Sequence, residues 1–179
     1  MRTRVVGAMV LALASLASAP AASETDADLL TSDQQAYVAL AIRDDLRRPA
    51  NKKKVVRGGV ACLSAKIDEG KTTSDGDTVM RTLRIPGALL AHLSSDGARY
   101  VVSDACVVRE NEKIRLAGDV PSPATLLEIE ISDATPTFAR IAVGVSTAVC
   151  DADCKLTDTY AASKTKRGWS IVHEGHIDE

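Results

Sequence analysis

The stretch that decides the fold is TFARIAVGVSTAVCDADCKLTDTYAASKTKRGWSIVHEGHIDE, residues 137–179. From Phe138 to Val149 the residues alternate, with Ala139, Ile141, Val143, Val145, Thr147 and Val149 on one face and Phe138, Arg140, Ala142, Gly144 and Ser146 on the other. That period of two is a β-strand. Cys150-Asp151-Ala152-Asp153-Cys154 is of hairpin-loop length, and a second strand follows from about Leu156 to Lys164. A turn at Lys166-Arg167-Gly168 leads into a last strand, Trp169 to Ile177, with Trp169, Ile171 and His173 sharing a face. Three strands in consecutive hairpins form an antiparallel sheet, and no crossover helix is visible that would make it parallel.

Working back from this stretch, the chain adds one helix and several more strands. Ser32 with Gln35 forms the pattern of a capping box, and Asp33 puts negative charge in the first turn. Val38, Ile42 and Leu46 then repeat every four residues beside Tyr37 and Ala41, and Pro49 ends the helix. Lys54 to Arg57 and Val60 to Ala65 read as two short strand pieces parted by Gly58-Gly59, and Asp68 to Asp77 as a polar loop. Val79 to Ile85 is a strand, Ala88 to Ser94 a helical turn, and Arg99 to Arg109 an apolar segment suited to a central strand. Leu127, Ile129 and Ile131 alternate with Glu128 and Glu130 as a half-buried strand. The expected fold is α+β: an N-terminal amphipathic helix packed on a curved antiparallel sheet of about five to seven strands, on a cystatin-like or NTF2-like plan. A β-sandwich is the alternative.

The first residues read as an export signal. Arg2 and Arg4 precede an apolar run from Val5 to Ala17, and Ala19-Pro20-Ala21 fits a cleavage site after Ala21. The run is shorter than the ~20 residues that span a bilayer. Residues 1–21 are therefore expected to be a signal peptide, 22–31 a flexible leader and 32–179 a single domain, exported to the periplasm or the medium. Two of the 22 basic residues leave with the signal and none of the 24 acids do, so the mature chain carries a net charge of −4. A mildly acidic chain lacks the basic footprint of a nucleic-acid or anionic-membrane binder.

Four cysteines, Cys62, Cys106, Cys150 and Cys154, make an even set in an exported chain, and disulfides are the expectation. Of three connectivities, Cys62–Cys106 with Cys150–Cys154 is favoured. The first closes a loop of about 45 residues and contributes roughly 4 kcal/mol in the chain-entropy model, the second roughly 2 kcal/mol. Facing strands bring Cα atoms within disulfide range, which suits the Cys150–Cys154 hairpin.

The tail also carries a resemblance. Ala148-Val149-Cys150, Cys154, Lys164-Thr165-Lys166-Arg167 and Gly168-Trp169-Ser170-Ile171-Val172 together resemble the tails of a loose group of exported bacterial domains of unknown function. Those tails have cysteine-glycine pairs, a Lys-rich hairpin and a Gly-Trp strand. Here Asp151 and Asp153 stand in the loop and the glycines beside the cysteines are absent. The resemblance covers about 40 residues and implies no activity; Gly-Trp closures also occur in NTF2-like and cystatin-like domains.

Chemistry is sparse along the chain. His173 and His176 could suggest a metal, but residues three apart on a strand face opposite sides, so Gly175 would have to twist the chain. The simpler expectation is a frayed, exposed tail. Asp151 and Asp153 offer two carboxylates without the 12-residue ligand loop of a calcium site. A serine nucleophile elbow is missing, since Ala148 stands where Gly144-Val145-Ser146 would need its second glycine. Paired cysteines leave no thiolate nucleophile. Trp169, the single tryptophan, is expected in the core, where truncation to alanine costs about 3–5 kcal/mol. No residue set calls for a cofactor or a metal. The expectation is a non-enzymatic binding domain, for example an inhibitor or protein-interaction module, whose partner is a protein or an envelope component. An enzyme using His173 with an acid inside an NTF2-like sheet, and a structural envelope protein, are the alternatives.

Overall fold

Helix α1 spans Ser32–Arg47 in the computed structural model, which describes residues 28–48, 59–94, 98–108, 114–117, 124–146 and 156–178. Its capping box lies one residue earlier than Ser32 and Gln35. Thr31 Oγ1 accepts from the Gln34 amide at 3.3 Å, and the Gln34 side chain accepts from the Thr31 amide at 2.8 Å. Gln35 is committed elsewhere, donating to the Leu30 carbonyl at 2.8 Å. Tyr37, Val38, Ala41, Ile42 and Asp45 form the buried stripe at helical spacing.

Among the described residues, nine strands and a second helix follow: β1 (Val60–Thr72), β2 (Thr78–Leu83), α2 (Gly87–Leu93), β3 (Arg99–Val102), β4 (Cys106–Val108), β5 (Ile114–Leu116), β6 (Ala124–Ser132), β7 (Phe138–Ser146), β8 (Leu156–Thr165) and β9 (Gly168–Asp178). The large sheet runs β2-β1-β6-β7-β8-β9, with β3 sharing the β2 side of β1, while β4 and β5 form a separate ribbon. The fold is α+β, but the sheet is mixed rather than antiparallel. β1 runs parallel to β3 and to β6, with Leu63 opposite both Val102 and Leu127. β2, antiparallel to β1, returns the chain to the starting end of β1, and α2 then leads into β3, which pairs in parallel with the start of β1 on the β2 side.

Two local readings also change. The polar loop expected from Asp68 begins as strand, because β1 continues to Thr72 with a register shift between Asp68 and Thr72 and with Gly70 at φ 66°. Arg99–Arg109 is not one central strand. A 3₁₀ turn at Ser103–Ala105 breaks it into β3, on the edge of β1, and β4, off the sheet. The piece at 54–57, and both Cys150 and Cys154, lie outside the described residues.

One face of the sheet makes the main core. Leu63 and Ala65 of β1, Leu127, Ile129 and Ile131 of β6, Ile141, Val143 and Val145 of β7, and Tyr160 and Ala162 of β8 share one buried cluster with Tyr37, Val38 and Ile42 of α1. The matched register Leu127–Val145, Ile129–Val143 and Ile131–Ile141 keeps these side chains in line across the strands. The opposite face holds a smaller cluster of Cys62, Ile114 and Ala124, with Val101, Cys106 and Leu126 against it. There Cys62 and Cys106 form the expected disulfide, at a Cα separation of 6.2 Å, and tie β1 to the start of β4. Among the described residues, no helix is long and apolar enough to cross a membrane.

Candidate functional site

The two histidines set aside on strand periodicity come together through a register fault. Along the β8–β9 ladder Tyr160 faces His173 and Ala162 faces Ile171, but Thr159 then faces Gly175 and Asp158 faces His176. One extra residue, Glu174, is accommodated on β9 as a β-bulge. With that extra residue, three positions along the chain become two along the ladder, so both imidazoles reach the face that carries Asp158. His173 Nε2 lies 2.6 Å from Asp158 Oδ1, and His176 Nδ1 lies 3.5 Å from the same oxygen. The segment is thus the edge strand of the sheet rather than a frayed tail. Gly175 is not sterically required there, since a Cβ would meet only Thr159 Oγ1, at 3.8 Å.

Asp158 also faces α1. Asp45, wholly buried in the last full turn of the helix, feels the charge of Asp158, itself almost wholly buried. Tyr160 donates to Asp45 Oδ1 at 3.1 Å, Arg48 Nε donates to the Tyr160 hydroxyl at 3.2 Å, and Arg48 Nη2 pairs with Asp44 at 2.9 Å. Burial is the largest influence on Asp45, and the negative charge of Asp158 adds to it. Tyr160 and Arg48 pull the other way, and the net result is a carboxyl pushed up to about 8. Near neutral pH Asp45 therefore keeps its proton. Burial, and then the charge of Asp45, likewise raise the Tyr160 phenol.

Asp158 orients the His173 ring as a carboxylate does in an acid–base dyad. A dyad needs something to act on, and among the described residues no hydroxyl or thiol nucleophile is hydrogen-bonded to His173. Nor does any group of three or more His, Cys, Asp or Glu among the described residues have the arrangement to hold a metal ion. The cluster joins the C-terminal end of α1 to β8 and β9 through Tyr160 and the Asp158–His173 contact.

A second feature lies on the outer side of α1. A groove of about 400 Å³ runs between α1 and α2, walled by Ala36, Ala39, Leu40, Ala88, Leu89 and Trp169. Ser32, Gln35, Arg43 and His92 supply its polar atoms. Trp169 is half-buried beside the core rather than inside it, and three contacts hold it. Its indole N–H donates to Asp33 at 2.9 Å, its ring meets Tyr37 edge-on at 4.9 Å, and Lys164 Nζ sits 5.7 Å from the ring centroid. Lys164 donates to both Asp33 oxygens, and this bond, followed by that of Trp169, holds the Asp33 carboxyl below its usual range. Arg43 Nη2 donates to the His92 carbonyl at 3.1 Å, linking the two helices across the groove.

The sequence carried hints of both features. Asp45 stands four residues after Ala41 and three after Ile42, an acid on the apolar stripe; its partner Asp158 follows the same two-residue spacing as Tyr160 and Ala162. Asp151 and Asp153 lie outside the described residues. No protein-family model matches this chain, and neither a curated protein nor a solved structure matches it.

Proposed function

We propose that this chain is an exported, disulfide-stapled binding protein, and that its ligand is a small apolar molecule with one anionic end, held in the groove between α1 and α2. The groove carries the reading. At about 400 Å³ it falls in the range of small-ligand sites, which are largely apolar with a few placed polar groups. A stable protein partner would need far more surface than it offers. Trp169 is held in place from three sides before any ligand arrives, so little ordering is needed on binding. Arg43, permanently charged and bonded to the His92 carbonyl at the α2 side, stands among the described lining residues, and a guanidinium favours a carboxylate or phosphate. An envelope component of amphipathic acid type satisfies both the apolar wall and the cation.

The enzyme alternative draws on the 2.6 Å contact of His173 with Asp158. Its substrate would sit between α1 and the sheet, where Tyr37, Val38 and Ile42 are at most 2% exposed and fill the space. The binding reading is tested by titrating dodecanoate, below its micelle concentration, into the mature protein while following the fluorescence of Trp169. Saturable binding is expected, weakened about tenfold by Arg43→Gln, which removes a charge-assisted contact, and abolished by Ala36→Phe, which fills the groove. Dodecanol binding as tightly as dodecanoate, or indifference to Ala36→Phe, would overturn it.

A further inference from the structure

We propose that Asp33 is a positioning residue of the groove: through the Trp169 N–H it holds the indole as a preformed part of the apolar wall, so that a ligand meets a wall already in order. The binding part rests on the reading of the groove as the site of an amphipathic acid; the hold on the indole does not.

Among the described residues that line the groove, Trp169 alone comes from the sheet. The others are carried on α1 and α2, whereas Trp169 stands at the start of β9, beside the β8–β9 turn and between exposed Gly168 and Ser170. A half-buried side chain at such a place keeps its torsional freedom unless a contact removes it. Here two arms of the sheet converge on one carboxylate. Lys164 and Trp169 pair directly across β8 and β9. Lys164 Nζ donates to the two Asp33 oxygens at 3.0 and 2.7 Å, and the indole N–H donates to Oδ1 at 2.9 Å. Lys164 thus fixes the carboxylate, and the carboxylate fixes the ring. Tyr37, only 2% exposed, meets the ring edge-on from the core side, with the planes at 73°. Both bonds to Asp33 favour its ionised form, so it stays an acceptor at neutral pH.

Magnitudes decide between a stabilising role and a positioning one. The Lys164 and Asp33 side chains are 41% and 49% exposed, and an ion pair so placed adds little to stability. Its effect is direction. An indole released from Asp33 would have to be ordered by the ligand, and ordering one such side chain weakens binding by about twofold to tenfold. Asp33 adjoins Ser32, itself in the lining, so the tether acts at the wall and not from a distance.

Isothermal titration calorimetry with dodecanoate, at neutral pH and below its micelle concentration, reads the binding without needing the tryptophan. Asp33→Ala is expected to weaken dodecanoate by about twofold to tenfold. Asp33→Asn is expected to keep the wild-type affinity, because the amide oxygen still accepts the indole N–H. Both variants remove the charge from the first turn of α1, so a general effect on the helix would move them alike. In the Trp169→Phe background, which keeps a ring and lacks the N–H, Asp33→Ala is expected to add no further loss. Without ligand, nuclear magnetic relaxation of the indole ¹⁵N–¹H group is expected to show a ring as rigid as the β9 backbone in the wild type and in Asp33→Asn, and a mobile ring in Asp33→Ala. An indole equally rigid in Asp33→Ala, equal losses of affinity in Asp33→Ala and Asp33→Asn, or an undiminished loss in the Trp169→Phe background overturns the positioning role. Dodecanoate that fails to bind the wild type overturns the groove reading and the binding role with it, and the relaxation result still decides whether Asp33 holds the ring.

Discussion

Removing the Cys62–Cys106 bridge should cost about as much as truncating a large core side chain. The two residues are separated by 44 positions, so the chain-entropy model assigns the closed loop about 4 kcal/mol at 25 °C. The loop contains β2, α2 and β3, and its far end starts the β4–β5 ribbon, which lies on the smaller of the two clusters. Among the described residues the cluster beside that ribbon is small, and the covalent link adds to its holding. Against a typical domain stability of about 5–15 kcal/mol, a loss of that size is a large fraction. The double variant Cys62→Ala/Cys106→Ala should be compared with the wild type by urea unfolding, read by far-ultraviolet circular dichroism. The expected result is a stability lower by about 4 kcal/mol with a steeper denaturant dependence, because the uncrosslinked chain exposes more surface when unfolded. A second signature is local: amides of β3 to β5 should lose exchange protection before those of β6 to β8. A loss under about 1 kcal/mol with an unchanged slope would show that the loop is already constrained in the unfolded chain, and the entropy reasoning would be refuted.

Asp45→Asn should change the pH dependence of stability. The folded-state value, about 8, lies above that of an unfolded aspartate, so the contribution is full below about pH 4 and is lost as pH rises toward 8. The wild type should therefore lose up to about 1.4 kcal/mol per pH unit from this group, while the variant does not; parallel melting curves of the two at pH 5 and pH 8 would contradict this. Trp169→Ala should destabilise by about 2–3 kcal/mol, less than a fully buried tryptophan, since its indole is half-exposed. Chemical denaturation checks it, and wild-type stability would show that Asp33, Tyr37 and Lys164 do not depend on the ring. Micromolar Zn²⁺ should leave the melting temperature unchanged, because the two β9 histidines and Asp158 engage one another and no three-ligand group is formed among the described residues. A rise in melting temperature that disappears in His176→Ala would place a metal there after all.

Legibility followed the range of the interactions involved. The stripe Val38–Ile42, the alternation of Leu127, Ile129 and Ile131, and that of Ile141, Val143 and Val145 were plain in the sequence, because each is a periodicity over a few neighbouring residues. The cap moved by one residue because Thr31 and Ser32 carry equivalent hydroxyls, and the choice depended on Gln35 finding the Leu30 carbonyl. The direction of β1 was not readable. A strand has the same apolar pattern whether its neighbour runs parallel or antiparallel, and here the neighbours β3 and β6 come from far along the chain.

The hairpin segment that opens the sequence reading shows the division most clearly. Residue types alone pointed to strands at 138–149, about 156–164 and 169–177, following one another in hairpins, and to Cys106 as a partner for Cys62; the structure has them at 138–146, 156–165 and 168–178 among the described residues. Where His173 and His176 would point was decided only in three dimensions. It depends on one unmatched residue between two strands, a property of the β8–β9 pairing and of neither strand alone. The protonation of Asp45 was decided there too. Asp45 and Tyr160 are 115 positions apart in the chain, and only folding brings them together and excludes the water that would otherwise leave the carboxyl ionised.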